Sequence, residues 1–90
     1  MQTVGGFPFF SRASIGSIYT HDVSGTDATA ENNTAYGLNA LDAITTGDNN
    51  TAIGKGAGGA LNTGAAQIFI GAEAGASLTS AGGNIAIGYG

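Results

Sequence analysis

The stretch GDNNTAIGKGAGGALNTG, Gly47 to Gly64, contains six glycines and three asparagines, with Asp48 and Lys55 as its only charges. It lacks the side chains of an ordinary core, so its meaning turns on the word NTAIG at 50–54. Near copies stand at 33–37 (NTAYG), 67–71 (QIFIG) and 84–88 (NIAIG). Their last residues, Gly37, Gly54, Gly71 and Gly88, are each 17 residues apart. A period held three times without slippage marks a repeat architecture, in which one supersecondary unit leans on the next.

Other columns follow once this register is set. Asn33, Asn50, Gln67 and Asn84 form an amide column, and Tyr36, Ile53, Ile70 and Ile87 a column of large residues. Ile44, Leu61 and Leu78 align, as do Ala40, Ala57 and Ala74, and then Thr46, Thr63 and Ser80. The alternation in TAIG suits a strand too short to be stable alone, and TTGDN, NTGAA and SAGGN carry turn chemistry. The expected fold is all-β, a parallel β-solenoid (β-roll or β-helix) with 17-residue coils. Coils stacked at about 4.8 Å would pair each strand above and below and let the amides form a ladder of side-chain hydrogen bonds. In this reading the Tyr36/Ile53/Ile70/Ile87 and Ile44/Leu61/Leu78 columns face inward. The glycine column marks a turn or a close backbone approach. A helix over AYGLNALDAI is the competing reading, opposed by the glycines of the matching AIGKGAGGAL, each costing about 1 kcal/mol against alanine.

Composition narrows the function classes. The chain has 90 residues, no cysteine, 9% charged residues and a net charge of −4. Arg12 and Lys55 are the only Lys or Arg residues, so the clustered cations that neutralise phosphates are missing and nucleic acid is not an expected partner. No stretch approaches the ~20 apolar residues of a membrane span, so membrane insertion is not expected. A domain of this size hides only about 60–65% of its unfolded-chain surface, and seventeen glycines add ordering entropy, so self-association is the expected remedy.

Residues 1–31 depart from the repeat. Ile15-Gly16 reads as a degenerate repeat word that needs four inserted residues to reach Gly37, and the segment as an irregular capping coil. VGGFPFF, Val4 to Phe10, holds three of the four phenylalanines, either as a plug closing the solenoid or as a docking patch for a preceding domain or partner. The repeat, 32–90, breaks off two residues after Gly88, and the expectation is a solenoid that continues beyond this segment.

The chemistry that the residues offer is sparse. His21 is the only histidine, and Asp22 beside it on a strand would point to the other face, which suits no triad. His21 copies meeting at an oligomer axis could hold a metal, and Asp22 and Asp27 in DVSGTD loosely resemble a calcium loop; turn chemistry accounts for both more simply. GKGAGG, Gly54 to Gly59, lacks the phosphate-loop pattern, and Lys55 reads as a solvent-facing residue with at most a weak pairing to Glu73. No cofactor and no enzymatic activity are expected. Ice binding would need regular threonine rows, whereas Thr34, Thr51, Ile68 and Ile85 lose theirs; a self-assembling filament is a further alternative.

The segments NTAYGLNALDAITTGDNNTAIGKGAGGALNTG and GGNIAIGYG resemble the Gly/Ala-rich repeats of trimeric fibrous surface proteins. Those are bacteriophage tail fibres and, with similar AIG words, the YadA-like heads of trimeric autotransporter adhesins. The likeness covers about residues 32–90, and the 17-residue period, longer than the usual adhesin-head repeat, favours the tail fibre. It implies a homotrimeric fibre in a virion that gives a rigid stalk and attaches to a host receptor, with a bacterial surface adhesin as the alternative. Gln67 and Phe69 break the family word, and Phe69 in place of alanine implies extra room or an interface there. Tyr89 and Phe69 are the candidate contact residues.

Overall fold

The computed structural model describes residues 2–4, 7–12, 16–20, 29–80 and 82–90. Seven strands form one sheet in chain order: β1 (Gln2–Val4), β2 (Phe7–Arg12), β3 (Ser17–Tyr19), β4 (Thr34–Tyr36), β5 (Thr51–Ile53), β6 (Ile68–Ile70) and β7 (Ile85–Ile87). β1 and β2 are an antiparallel hairpin, and β2 lies antiparallel to β3. From β3 to β7 all pairing is parallel, and the five strands begin 17 residues apart. The register Ala35↔Ala52, Ala52↔Phe69 and Phe69↔Ala86 sets each repeat word on its copy, a solenoid-like stack. No helix is present among the described residues, and residues 38–43, where a helix was the competing reading, are turn.

Hydrogen bonds between coils continue outside the strands. Gly56 donates to the Leu38 carbonyl at 2.8 Å, Gly58 to that of Ala74 at 2.9 Å and Ala66 to that of Asp48 at 3.0 Å. Stacking therefore satisfies backbone on every side of the coil, as a chain with so few core side chains requires.

The strands face the opposite way from the sequence expectation. Tyr36, Ile53, Ile70 and Ile87 point outward, at 60%, 41%, 38% and 71% exposure, and the middle residue of each of β4 to β7 points in. Ala35, Ala52 and Phe69 are buried and Ala86 is partly so. The interior has room for one strand side chain per coil because the far side already supplies Leu41, Ile44 and Leu61, all fully buried, with Leu78 partly buried. The inward reading of that second column thus holds, and that of the first is corrected.

Phe69 is the exception that shows how tight the interior is. It is fully buried, and a Cβ on Gly58 would lie 2.8 Å from its Cδ2 and 3.0 Å from Leu41 Cδ2. A Cβ on Gly75 would overlap the same ring. Leu41, Gly58 and Gly75 are one column, 17 residues apart, and all have positive φ, +52°, +60° and +65°. Glycine in the upper two coils clears the volume that the ring fills, while the lower coil combines Leu41 with the small Ala35. Phe69 is therefore a core residue and not a surface contact.

The glycine column is sterically required. Gly37, Gly54, Gly71 and Gly88 have φ between +124° and +136°, and a Cβ on Gly54 would stand 2.6 Å from the carbonyl carbon and oxygen of Gly71. At Gly37, Gly54 and Gly71 side chains are excluded both by conformation and by the next coil, and at Gly88 by conformation alone.

The first coil follows a different register from the one expected through Gly16. Ile18 pairs with Thr34 and Tyr19 with Ala35, an offset of 16, whereas Thr29, which donates to the Thr45 carbonyl as Thr46 does to that of Asn62, stands 17 residues before its counterpart Thr46. This coil is one residue shorter than the period, between Thr20 and Thr29, and needs no four-residue insertion. The Thr20 hydroxyl makes up the difference: Gly37 N–H donates to its Oγ1 at 2.8 Å, the place that the Tyr36 carbonyl takes for Gly54 one coil later. Buried Tyr19 occupies the inward column here. The side chains of the VGGFPFF segment, and with them the plug or docking patch, lie outside the described residues.

Replacing Phe69 with alanine should cost about 3–5 kcal/mol in chemical denaturation, the range for emptying a large aromatic site. Gly58→Ala alone should also destabilise, but in the Phe69→Ala background it should cost less, by at least about 0.5 kcal/mol of coupling. Additive losses would mean that Gly58 and Phe69 do not share the space.

Candidate functional surface

Two features of the stack could carry function: the amide column that closes each coil, and the outer face of the parallel sheet. The amides are buried at Asn33, Asn50 and Gln67. They form the expected ladder of side-chain hydrogen bonds, and it runs to backbone groups. Each accepts a backbone N–H from the next amide residue: that of Asn50 to Asn33 Oδ1 at 2.9 Å, of Gln67 to Asn50 Oδ1 at 3.0 Å and of Asn84 to Gln67 Oε1 at 2.8 Å. The nitrogen end ties the coil shut, Asn33 Nδ2 donating to the Gly47 carbonyl at 2.8 Å and Asn50 Nδ2 to that of Gly64 at 2.9 Å. One carboxamide thus joins coil to coil through its acceptor and strand to turn through its donor.

Ser17 heads this column and was missed in the sequence. Its buried hydroxyl accepts the Asn33 N–H at 3.1 Å, so a shorter side chain provides the first acceptor. Its only sequence signal was position, one residue before an apolar-tyrosine pair that repeats the strand alternation.

The outward residues of β3 to β7 make two parallel columns. One runs Ile18, Thr34, Thr51, Ile68 and Ile85, and the other Tyr36, Ile53, Ile70 and Ile87. Past the glycine column Leu38 and Tyr89 are both largely exposed, with exposed Lys55 between them in the same column. An apolar strip this continuous on a small chain marks a binding surface far more often than isolated exposed residues do. A polar flank is formed by Thr29, Thr46, Thr63 and Ser80, all exposed in one column.

Other sequence candidates give less. His21, Asp22 and Asp27 lie outside the described residues. Among the described residues no group of three His, Cys, Asp or Glu is placed to hold a metal ion. Lys55 is exposed, and its backbone carbonyl accepts the Glu73 N–H at 2.7 Å. No helix among the described residues is long and apolar enough to cross a membrane. No family model, no curated protein and no solved structure matches this chain.

Asn50→Ala should strip partners from the Gln67 N–H and the Gly64 carbonyl, a loss of about 2–6 kcal/mol for two buried groups. Asn50→Asp keeps the acceptor and loses the donor. Burial raises the folded-state pKa of that new carboxyl, and only its protonated form can donate to Gly64. Stability of Asn50→Asp should therefore fall as pH rises from the ordinary Asp value of about 3.9 toward the raised one. Thermal melts across pH 3–8 check this, with a pH-independent deficit as the contrary outcome.

Proposed function

We propose that the chain is a structural fibre segment, a parallel β-solenoid of 17-residue coils acting as a homotrimer, belonging to a phage tail fibre or related virion fibre. It serves as a rigid stalk and contributes to attachment at a host surface. The observation that carries this reading is the apolar outer face of the parallel stack. A coil interior closed by buried amides is complete by itself, so the isoleucines outside it suit a second layer of protein. Three copies sharing such faces would cover the strip while leaving the polar threonine flank to solvent.

The stack also fits the mechanical role. Hydrogen bonds link each coil to the next on every side, so pulling along the axis loads many bonds together. Attachment would then be multivalent, with identical weak contacts on three chains giving avidity. Tyr89, largely exposed beside the sheet, is the side chain best placed for such a contact. Other virion or fibre proteins are the partners proposed for the N-terminal segment.

Native mass spectrometry tests the central part of this proposal. The expected species is three times the 8.7 kDa chain. A folded, soluble monomer would overturn the trimeric fibre, and open-ended polymers by electron microscopy would favour a filament subunit over a fibre of fixed length.

A further inference from the structure

The stack is closed at β3 by a strand of another kind. β3 to β7 pair in parallel, but the strand on the other side of β3 runs the opposite way. In β2, Phe10 lies opposite Tyr19, Ser11 opposite Ile18 and Arg12 opposite Ser17, and β1 pairs back on residues 7–9. The Ile18 N–H donates to the Asn33 carbonyl at 2.8 Å and the Thr20 N–H to that of Ala35 at 3.2 Å, both in the direction of β4. Backbone groups alternate sides along a strand, so those of Ser17 and Tyr19 face β2. β2 is also unlike the other strands in sequence. It holds the chain's one proline, Pro8, and Arg12 is the only charged residue on any of the seven strands. Proline and charge are two ways in which sheets blunt an edge against pairing with another chain, and β3, Ser-Ile-Tyr, has neither.

We infer that the edge of β3 is a latent self-association surface, fitted to β3 of a second copy running antiparallel to it, and that the β1–β2 hairpin is the cover that keeps it shut. An uncovered edge presents a row of N–H and C=O groups that templates another strand. The occupant follows from the geometry. β2 shows that an antiparallel strand seats on this edge with Ile18 at the centre of the paired segment. Two copies of β3 related by a two-fold axis meet in that same way, Ile18 opposite Ile18 and Ser17 of one copy opposite Tyr19 of the other. The backbone groups of Ser17 and Tyr19 then find in the second copy the partners that Arg12 and Phe10 now supply. This inference concerns the end of the stack and stands apart from the trimer proposed above, which uses the outer face.

Proline substitution in the full chain tests the cover. Phe10→Pro with Arg12→Pro removes the two N–H groups that β2 directs at β3, and Ser11→Pro, whose N–H points away from β3, is the matched control. The double variant should show twice the native mass of the unaltered chain, a dimer if that chain is a monomer and a hexamer if it is a trimer. Ser11→Pro should keep the unaltered mass. Arg12→Pro alone, which removes one of the two groups and disturbs the fold less, should show the same doubling in part. Hydrogen exchange of the Ser17 and Tyr19 amides is read on the same samples. Unchanged mass with both amides exchanging fast overturns the latent surface, and unchanged mass with both still protected in the double variant overturns β2 as their cover. Open-ended polymers in place of a doubled mass overturn the two-fold pairing. Since the chain has no cysteine, Ser11→Cys with Ile18→Cys can tie the hairpin down across a pair whose Cα atoms stand about 4.5 Å apart, within disulfide reach. Closing that intramolecular link in the proline variant should restore the unaltered mass, and a mass that stays doubled with the link closed overturns the proposal.

Discussion

The Asn50 carboxamide accepts the Gln67 backbone N–H at 3.0 Å and donates to the Gly64 carbonyl at 2.9 Å, and the architecture depends on this pair of bonds. A buried amide has to satisfy both ends, and in this stack it can do so only if a coil lies above it and its own coil returns to meet it. The requirement recurs at Asn33, with Gln67 supplying the acceptor to Asn84. Coil closure and coil stacking are therefore one constraint, met by one side chain. Each such bond contributes only about 0.5–1.5 kcal/mol net, but leaving it unmade costs more, which gives the repeat its fixed register.

Small residues follow from the same constraint. Backbones held in contact by the ladder leave no volume for a side chain at the glycine column, where a Cβ on Gly37 would lie 2.7 Å from the Gly54 carbonyl. The interior that remains is filled from the turn side by Leu41, Ile44 and Leu61 and from the strand side by alanine or, in two coils, by Tyr19 and Phe69. Large apolar residues that do not fit inside are left on the outer face. What reads as a poor core in composition is a full core in a narrow coil, with the surplus hydrophobic surface directed outward.

The 17-residue period, the glycine and amide columns and the buried Ile44 and Leu61 could all be read from the sequence, because each depends on spacing and residue size alone. The direction of the strand side chains could not be read from TAI by itself. A three-residue strand has either its middle or its flanking residues inside, and the usual preference for burying the larger ones pointed the wrong way. The deciding signal lay in a comparison between columns. Phenylalanine replaces alanine at 69 where glycine replaces leucine at 58 and 75, an exchange of volume that makes sense only if the two columns share an interior. The register of the first coil was hidden for another reason: Ser17 and Thr20 provide the same hydrogen-bond acceptors from different residue types.

If the amide column is what holds coil to coil, the backbone N–H groups it engages should be among the last to open. Native-state hydrogen exchange measures this residue by residue. The Asn50 and Gln67 amides should exchange only through global unfolding, far more slowly than the amide of exposed Lys55 in the turn after β5. Exchange of Asn50 and Gln67 by local opening, at the rate of Lys55, would contradict the account.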